Sequence, residues 1–239
     1  MTISEPELGA ILVTLARAVG LAATAPVLGD SGVPLRARLV FVLAVSAAVG
    51  GTRGPVELAD VPPLATLELA TGLLEGTVAR FVVARVAVAG QLMGLSLGLG
   101  FASQYDPHAG ESATTMRTLL STLASLAFIS AGGLEAIAKS IAAAPANVGE
   151  LAALGEAVVR HGGSAMQHGL ALAAPIVLAA LVGNLGLAVM NRAAPAVNVF
   201  SVALAAVLIL GGVVLLVSSA HVVGGITDAV HAAIAVLVG

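Results

Sequence analysis

The chain has 239 residues, of which 59% are hydrophobic and 10% are charged, and its formal net charge is −3. A soluble domain carries about 25% charged residues, so a globule of this composition lacks the charges needed to cover its surface. We therefore expect lipid or apolar protein around it. The absence of cysteine excludes disulfides and thiolate metal sites, and the absence of a basic run argues against a nucleic-acid partner.

The N-terminal part predicts two apolar helices and a loop. The first eight residues include two glutamates and no basic residue, so we interpret the first apolar segment, residues 8–28, as a retained helix with a non-cytoplasmic N-terminus. A glycine-containing turn follows, and a second helix is predicted at residues 35–49. Residues 50–63 are rich in glycine, proline and charge, which is typical of a loop.

The third predicted helix, residues 64–101, is mainly apolar but also contains charged residues. Its first half contains Glu68 and Glu75, which share one face because they are seven residues apart. Carboxylates in an apolar helix are costly, so this pair is either functional or lies at a helix end in the headgroup zone. Arg17, in the middle of the first helix, requires a backbone carbonyl or an acidic partner.

The second half of the chain predicts further apolar helices separated by polar breaks. In chain order these features are a helix at residues 112–130, a break at Gly132-Gly133, a short helix to residue 144, a polar stretch at 145–163, an uncharged stretch at 161–191, a turn at 191–195, and an uncharged stretch at 193–227 with a polar weak point at 218–221. Hydropathy counts five or six spans. Charges inside the segments and Gly/Pro breaks between them are unusual for simple lipid-facing spans, however, and suit helices buried against other protein subunits. No linker or charge block divides the chain, which predicts a single domain over residues 1–239.

A glycine pattern marks the third helix as a packing element. Gly90, Gly94 and Gly98 recur at every fourth residue, so a helix would place three missing side chains on one face, where another backbone can approach closely. The contact is either within this chain or with a partner subunit.

Directly after these glycines, the apolar sequence ends in a polar break at Asp106-Pro107. Irregular backbone in hydrocarbon leaves N–H and C=O groups unpaired, at several kcal/mol each. The break must therefore lie at the membrane interface, in a protein contact or in a water-filled passage.

Catalytic, cofactor and metal residues are not predicted anywhere in the chain. The string around Ser96 matches G-x-S-x-G, but a nucleophile elbow needs a preceding strand, and here the serine lies in a glycine-rich helical run. The five histidines have no metal-ligand spacing, and no phosphate-binding loop occurs. A small residue on a packing face explains Ser96 better than a serine hydrolase does.

Nearly the whole chain resembles, in order, the FliR/SctT family of export-apparatus proteins of bacterial flagella and type III secretion systems. The matching residues are Ala16-Arg17, Ala25-Pro26-Val27, Val33-Pro34 with Arg36, Ala89-Gly90-Gln91, Gly94-Leu95, Gly98-Leu99, Phe101-Ala102, Asp106-Pro107, Phe128, Gly132-Gly133, Ala174-Pro175-Ile176-Val177, Asn184-Leu185-Gly186-Leu187, Arg192-Ala193-Ala194-Pro195 and Asn198-Val199-Phe200. Each string alone has little specificity, whereas their order and spacing together are specific.

The resemblance implies an all-α, membrane-associated subunit made of helical hairpins with broken hydrophobic helices. It implies packing into a hetero-oligomeric export gate of the bacterial inner membrane, with FliP/SctR-type and FliQ/SctS-type proteins as partners and FlhB/SctU-type and rod or needle components beside them. The implied cargo is unfolded protein, and no enzymatic activity or cofactor is implied. The sequence leaves open whether the system is a flagellum or an injectisome. The rival interpretation is a small-solute transporter, which should contain internal repeats with matched broken helices.

The resemblance also implies site residues. A plug-like loop closing the channel would comprise Phe101, Ala102, Ser103, Gln104, Tyr105, Asp106 and Pro107, with its body extending to about residue 115 by position. The C-terminal signature would comprise Arg192, Pro195, Asn198 and Phe200. The helix-packing residues would be the three glycines at 90, 94 and 98.

Overall fold

The computed structural model describes residues 4–30, 32–50, 54–99, 115–193 and 199–238, without the side chains of 199–204. Its helices are α1 (Glu5–Thr24), α2 (Leu35–Gly50), α3 (Val61–Ser96), α4 (Thr115–Ser130), α5 (Gly133–Ala142), α6 (Val148–Ala193), α7 (Val199–Val217) and α8 (Ser219–Val238). Since these described residues contain no β-strand, the all-α prediction is confirmed.

Helix ends follow local sequence signals. At the start of α1, the backbone N–H of Ser4 donates to Glu7 Oε2 at 2.8 Å, and a proline occupies the first turn. The helix ends at Thr24 because Pro26 disfavours helical backbone at the preceding residue. At the start of α6, Asn147 Oδ1 accepts a hydrogen bond from the Glu150 N–H at 2.9 Å, which is an N-cap. Local sequence therefore accounts for these three helix boundaries.

The predicted break at Gly132-Gly133 is confirmed as a bend of 59° between α4 and α5. Gly132 has a φ of +89°, a conformation that glycine adopts at little cost. A Cβ at Gly133 would lie 2.6 Å from Cζ of Phe128, whose ring is fully buried. The first glycine therefore turns the chain, and the second lets α5 fold back over the phenylalanine.

The chain divides into two compact units. The first comprises residues 1–83, 125–163 and 230–239, and the second comprises residues 84–124 and 164–229. The core of the first unit consists mainly of small and branched aliphatic side chains from α1, α5 and α8 around Phe128. The prediction of one domain over residues 1–239 stays a prediction.

Within the first unit, α1 and α3 run side by side in the same direction. A Cβ at Gly20 would lie 2.5 Å from the Leu69 carbonyl oxygen, and a Cβ at Gly72 would lie 3.0 Å from the Leu21 nitrogen. Further along both helices, Gly76 faces Thr24. Close helix approach over small residues is a common mode of packing in membranes, and here it brings the two backbones into contact.

Within the described residues, four helices, α1, α3, α6 and α8, are long and apolar enough to cross a membrane, and the bent pair α4–α5 makes a fifth candidate. Together they indicate a multi-pass membrane protein. The sequence-based count is five or six spans, and among the described residues the apolar stretch Ala205–Val217 of α7 is shorter than a hydrocarbon core requires.

Candidate functional site

A buried ionic network lies midway along α1. Arg17 has a relative exposure of 1%, and its guanidinium contacts two carboxylates of α3. Nη1 lies 3.4 Å from Glu68 Oε2, and Nη2 forms an ion pair with Glu75. A charged group inside a protein is tolerated when it is paired and hydrogen-bonded, so the network explains how α1 and α3 keep three charges in their contact.

The charges are also bonded to neighbouring polar groups. Ser140 of α5 donates its hydroxyl to Glu75 Oε2 at 2.5 Å. Glu150, at the start of α6, places Oε1 3.9 Å from Arg17 Nη2, and its side chain is 38% exposed. The network therefore joins four helices, α1, α3, α5 and α6, and one of its edges reaches the surface of the unit.

The same network satisfies the backbone of the break between α5 and α6. Arg17 Nη1 donates to the Ala144 carbonyl at 3.2 Å, and the Ala146 N–H donates to Glu68 Oε1 at 2.9 Å. Non-helical backbone at membrane depth must find partners inside protein or in water. Here charged side chains of α1 and α3 supply them.

Sequence reasoning identified Arg17, Glu68 and Glu75 and left their partners open. For Arg17 the alternatives were a carbonyl or an acidic partner, and the structure provides both. The two glutamates are buried inside the unit, and the headgroup interpretation stays a prediction. Ser140, Glu150 and the two alanine backbone groups were missed, since they lie 65 to 133 positions away from their partners and no spacing rule connects such distant positions.

The predicted helix-packing glycines have different environments. Gly90 lies against α4, where a Cβ would be 2.8 Å from the Cα of Arg117. Gly94 is buried in α3. Gly98 lies beyond the end of the helix at Ser96, with a φ of +74°, so it is not on the predicted helix face. Its N–H bonds to the Leu95 carbonyl at 3.1 Å, as in a Schellman cap, and glycine suits this left-handed position.

The predicted plug lies outside the described residues, which stop at 99 and resume at 115. Pro195 and Asn198 of the C-terminal signature also lie outside them, and Phe200 is described only as helical backbone. Arg192, in the last turn of α6, is exposed. A cation there interacts favourably with the carbonyl end of the helix.

Ser96 is the last residue of α3, and its hydroxyl donates to the Met93 carbonyl of the same helix at 2.9 Å. It ends a 36-residue helix, whereas a nucleophile elbow requires a strand before the serine. The geometry thus favours a helix-terminal serine bonded to its own backbone.

A strained turn connects α1 to α2. Val27 has a φ of +67°, which a β-branched residue rarely adopts, and the Leu28 N–H bonds to the Pro26 carbonyl at 2.8 Å across it. Arg80 of α3 holds the turn by donating to Asp30 Oδ1 at 3.2 Å. Such conformations persist where the surroundings fix them, and this turn is fixed from α3.

These features define an all-helical, multi-pass membrane protein with broken helices and a buried charge network. Within that class, the chain belongs to the bacterial export proteins, family 1, whose model matches residues 8–233. This match confirms the resemblance to the FliR/SctT family.

Curated relatives cover most of the chain. The flagellar biosynthetic protein FliR of Caulobacter vibrioides is 31% identical over 211 residues, which are 82% of each chain. FliR of Aquifex aeolicus is 30% identical over 232 residues, 90% of this chain and 87% of its own. FliR of Escherichia coli is 29% identical over 202 residues, 78% of this chain and 75% of its own.

Proposed function

We propose that this chain is a non-enzymatic subunit of the flagellar protein export apparatus in the bacterial inner membrane. The observation that carries the proposal is the family match over residues 8–233. Three relatives that match 78% to 90% of this chain are all named flagellar biosynthetic proteins. The apolar helices α1, α3, α6 and α8 support the membrane location.

In this proposal the subunit assembles with FliP/SctR-type and FliQ/SctS-type proteins into a channel for unfolded export substrates. Two properties support an assembled state. Large apolar side chains such as Val40 and Leu216 are exposed on the isolated chain, at 67% and 77%, and need lipid or protein around them. The sequence also carries a polar Asp-Pro break after a glycine-rich helix, which suits a passage lined by protein.

Residues 101–107 are the proposed plug of that channel. The loop would close the passage in the resting state and shift to an open arrangement when a substrate enters. For this shift, the substrate must contact the open arrangement more favourably than the closed one. Energy for export would come from another component of the apparatus.

Native mass spectrometry tests the assembly. The chain is expressed with the neighbouring genes for small hydrophobic proteins and purified in detergent through a tag on this chain alone. We expect a defined complex with one copy of this chain and several copies of two small helical proteins. A monomer or a homodimer without such partners would contradict the proposal and favour the small-solute transporter.

A further inference from the structure

The segment between α5 and α6 is attached to the first unit in an unusual way. Residues 142–145 and 147–149 are exposed, and Ala146 is the one buried residue between Ala142 and Glu150, at 8%. A methyl group buries little apolar area, so the hydrophobic effect contributes little to holding this segment in place. Other forces must fix it.

Polar contacts to the Arg17 network supply that attachment. They include the bond from Arg17 to the Ala144 carbonyl, the bond from the Ala146 N–H to Glu68, and the longer contact between Arg17 and Glu150. All three involve charged groups, and the first two are charge-assisted hydrogen bonds, which are stronger than neutral ones. The position of the segment thus depends on the charges of α1 and α3.

Space is available beside the segment. A cavity of about 430 Å³ is lined on one side by Ala142–Pro145 and on the other by Ala10, Val13 and Leu64. The segment lines this cavity with three alanines and a proline, so an outward movement would break polar contacts and expose little apolar area. Arg17 Nε is buried without a hydrogen-bond partner, which leaves the closed network incompletely satisfied.

We propose that Arg17, with Glu68 and Glu150, is a latch of hydrogen bonds and ion pairs that holds residues 143–147 closed against α1 and α3. When the latch is weakened, this segment opens while the apolar core of the first unit stays folded. Because the inference rests on contacts within the first unit, it does not depend on the export role.

Thiol accessibility tests the latch, because the natural chain has no cysteine and single thiols can be introduced. Ala146→Cys reports on the segment, and Ala22→Cys, 2% exposed in the core of α1, reports on the fold. The rate of N-ethylmaleimide labelling is measured for each thiol in the full chain in membrane vesicles.

Arg17→Lys is introduced into both reporter chains, since a compact ammonium keeps the positive charge but does not span the carboxylates and the Ala144 carbonyl together. Glu68→Gln is the second variant. We expect labelling of Ala146→Cys to rise about tenfold or more in each variant, as the loss of one charged bond implies, with Ala22→Cys unchanged. The matched control is Arg80→Lys, which alters an exposed ion pair and should change neither rate.

Two results would overturn the latch. Equal increases at both thiols would mean that the network holds the whole unit, including the case in which a variant fails to fold. Unchanged labelling at Ala146→Cys in both variants would mean that the segment is held by contacts other than those of Arg17 and Glu68.

Discussion

Arg17 illustrates how one residue can be identified from sequence while its role depends on distant parts of the chain. A guanidinium inside an apolar helix needs partners, and this requirement follows from elementary electrostatics. The partners come from α3, α6 and the break between α5 and α6, so the residue connects elements far apart in sequence. Its removal should therefore have a large effect.

Arg17→Leu should lower the free energy of unfolding by about 3–5 kcal/mol, because Glu68 and Glu75 would be left buried without their counter-charge. Arg80→Leu, which removes the exposed ion pair to Asp30, should lower it by about 1 kcal/mol or less. Thermal unfolding of the full chain in detergent compares the two. Similar losses for both variants would mean that burial does not increase the contribution of the Arg17 ion pairs to the free energy of unfolding.

Val27 allows backbone strain to be measured. A left-handed φ costs an L-residue roughly 1–2 kcal/mol, and glycine avoids that cost. Val27→Gly also removes a partly buried side chain, so the proper comparison is Val33→Gly, a half-buried valine in the same connection. We expect Val27→Gly to be at least about 1 kcal/mol less destabilising than Val33→Gly in detergent unfolding. Equal losses would argue against strain at this turn.

At the scale of the element, helix contacts depend on small residues. Gly72→Ala should destabilise the first unit by about 1–3 kcal/mol, since the added Cβ would overlap the Arg17 carbonyl and lie 3.0 Å from the Leu21 nitrogen. Gly155→Ala is the control: it lies in α6 with no atom within 4 Å of the new Cβ. There the higher helix propensity of alanine should stabilise by about 0.5–1 kcal/mol. Opposite signs of the two changes in melting temperature would support this view of the contact.

The packing face of α2 holds a polar atom that its surroundings do not satisfy. Ser46 is 1% exposed, and its hydroxyl oxygen has no hydrogen-bond partner. Ser46→Ala should therefore raise the free energy of unfolding by about 1 kcal/mol, because an unmade buried hydrogen bond costs about that much or more. Ser130→Ala, at an exposed serine bonded to the Ala127 carbonyl, should have little effect. A loss of stability at Ser46→Ala would indicate a hydrogen bond to that hydroxyl.

Helix positions could largely be predicted from sequence because apolar runs end at glycine and proline. The second helix, predicted at 35–49, is observed at Leu35–Gly50, and the polar weak point at 218–221 contains the boundary between α7 and α8. The third helix was predicted to extend to residue 101, but the cap at Gly98 ends it at Ser96. A glycine at every fourth residue does not reveal whether the last glycine packs against another helix or caps the end of its own helix, since both roles favour a residue without a side chain.

At the scale of the whole molecule, composition predicted the membrane class, whereas the network required tertiary structure. A content of 10% charged residues is incompatible with a soluble surface, and this holds whatever the fold. The contact between Ala146 and Glu68 joins positions 78 residues apart, and it depends on how α5 and α6 pack against α3. Local rules therefore predict the helices better than the contacts between them.

Deleting residues within 104–115 tests the proposed plug in the assembled apparatus. We expect the complex to form, because the helices on either side are retained, and we expect the membrane to leak ions, because the passage loses the loop that closes it. Native mass spectrometry checks assembly, and ion flux into cells expressing the complex checks closure. Cells expressing the deleted chain without its partners provide the control, since a leak there would come from the chain alone. If the deletion strain stayed ion-tight and exported normally, residues 101–107 would not be the plug. The role of the chain as a subunit would still be tested separately by the assembly experiment.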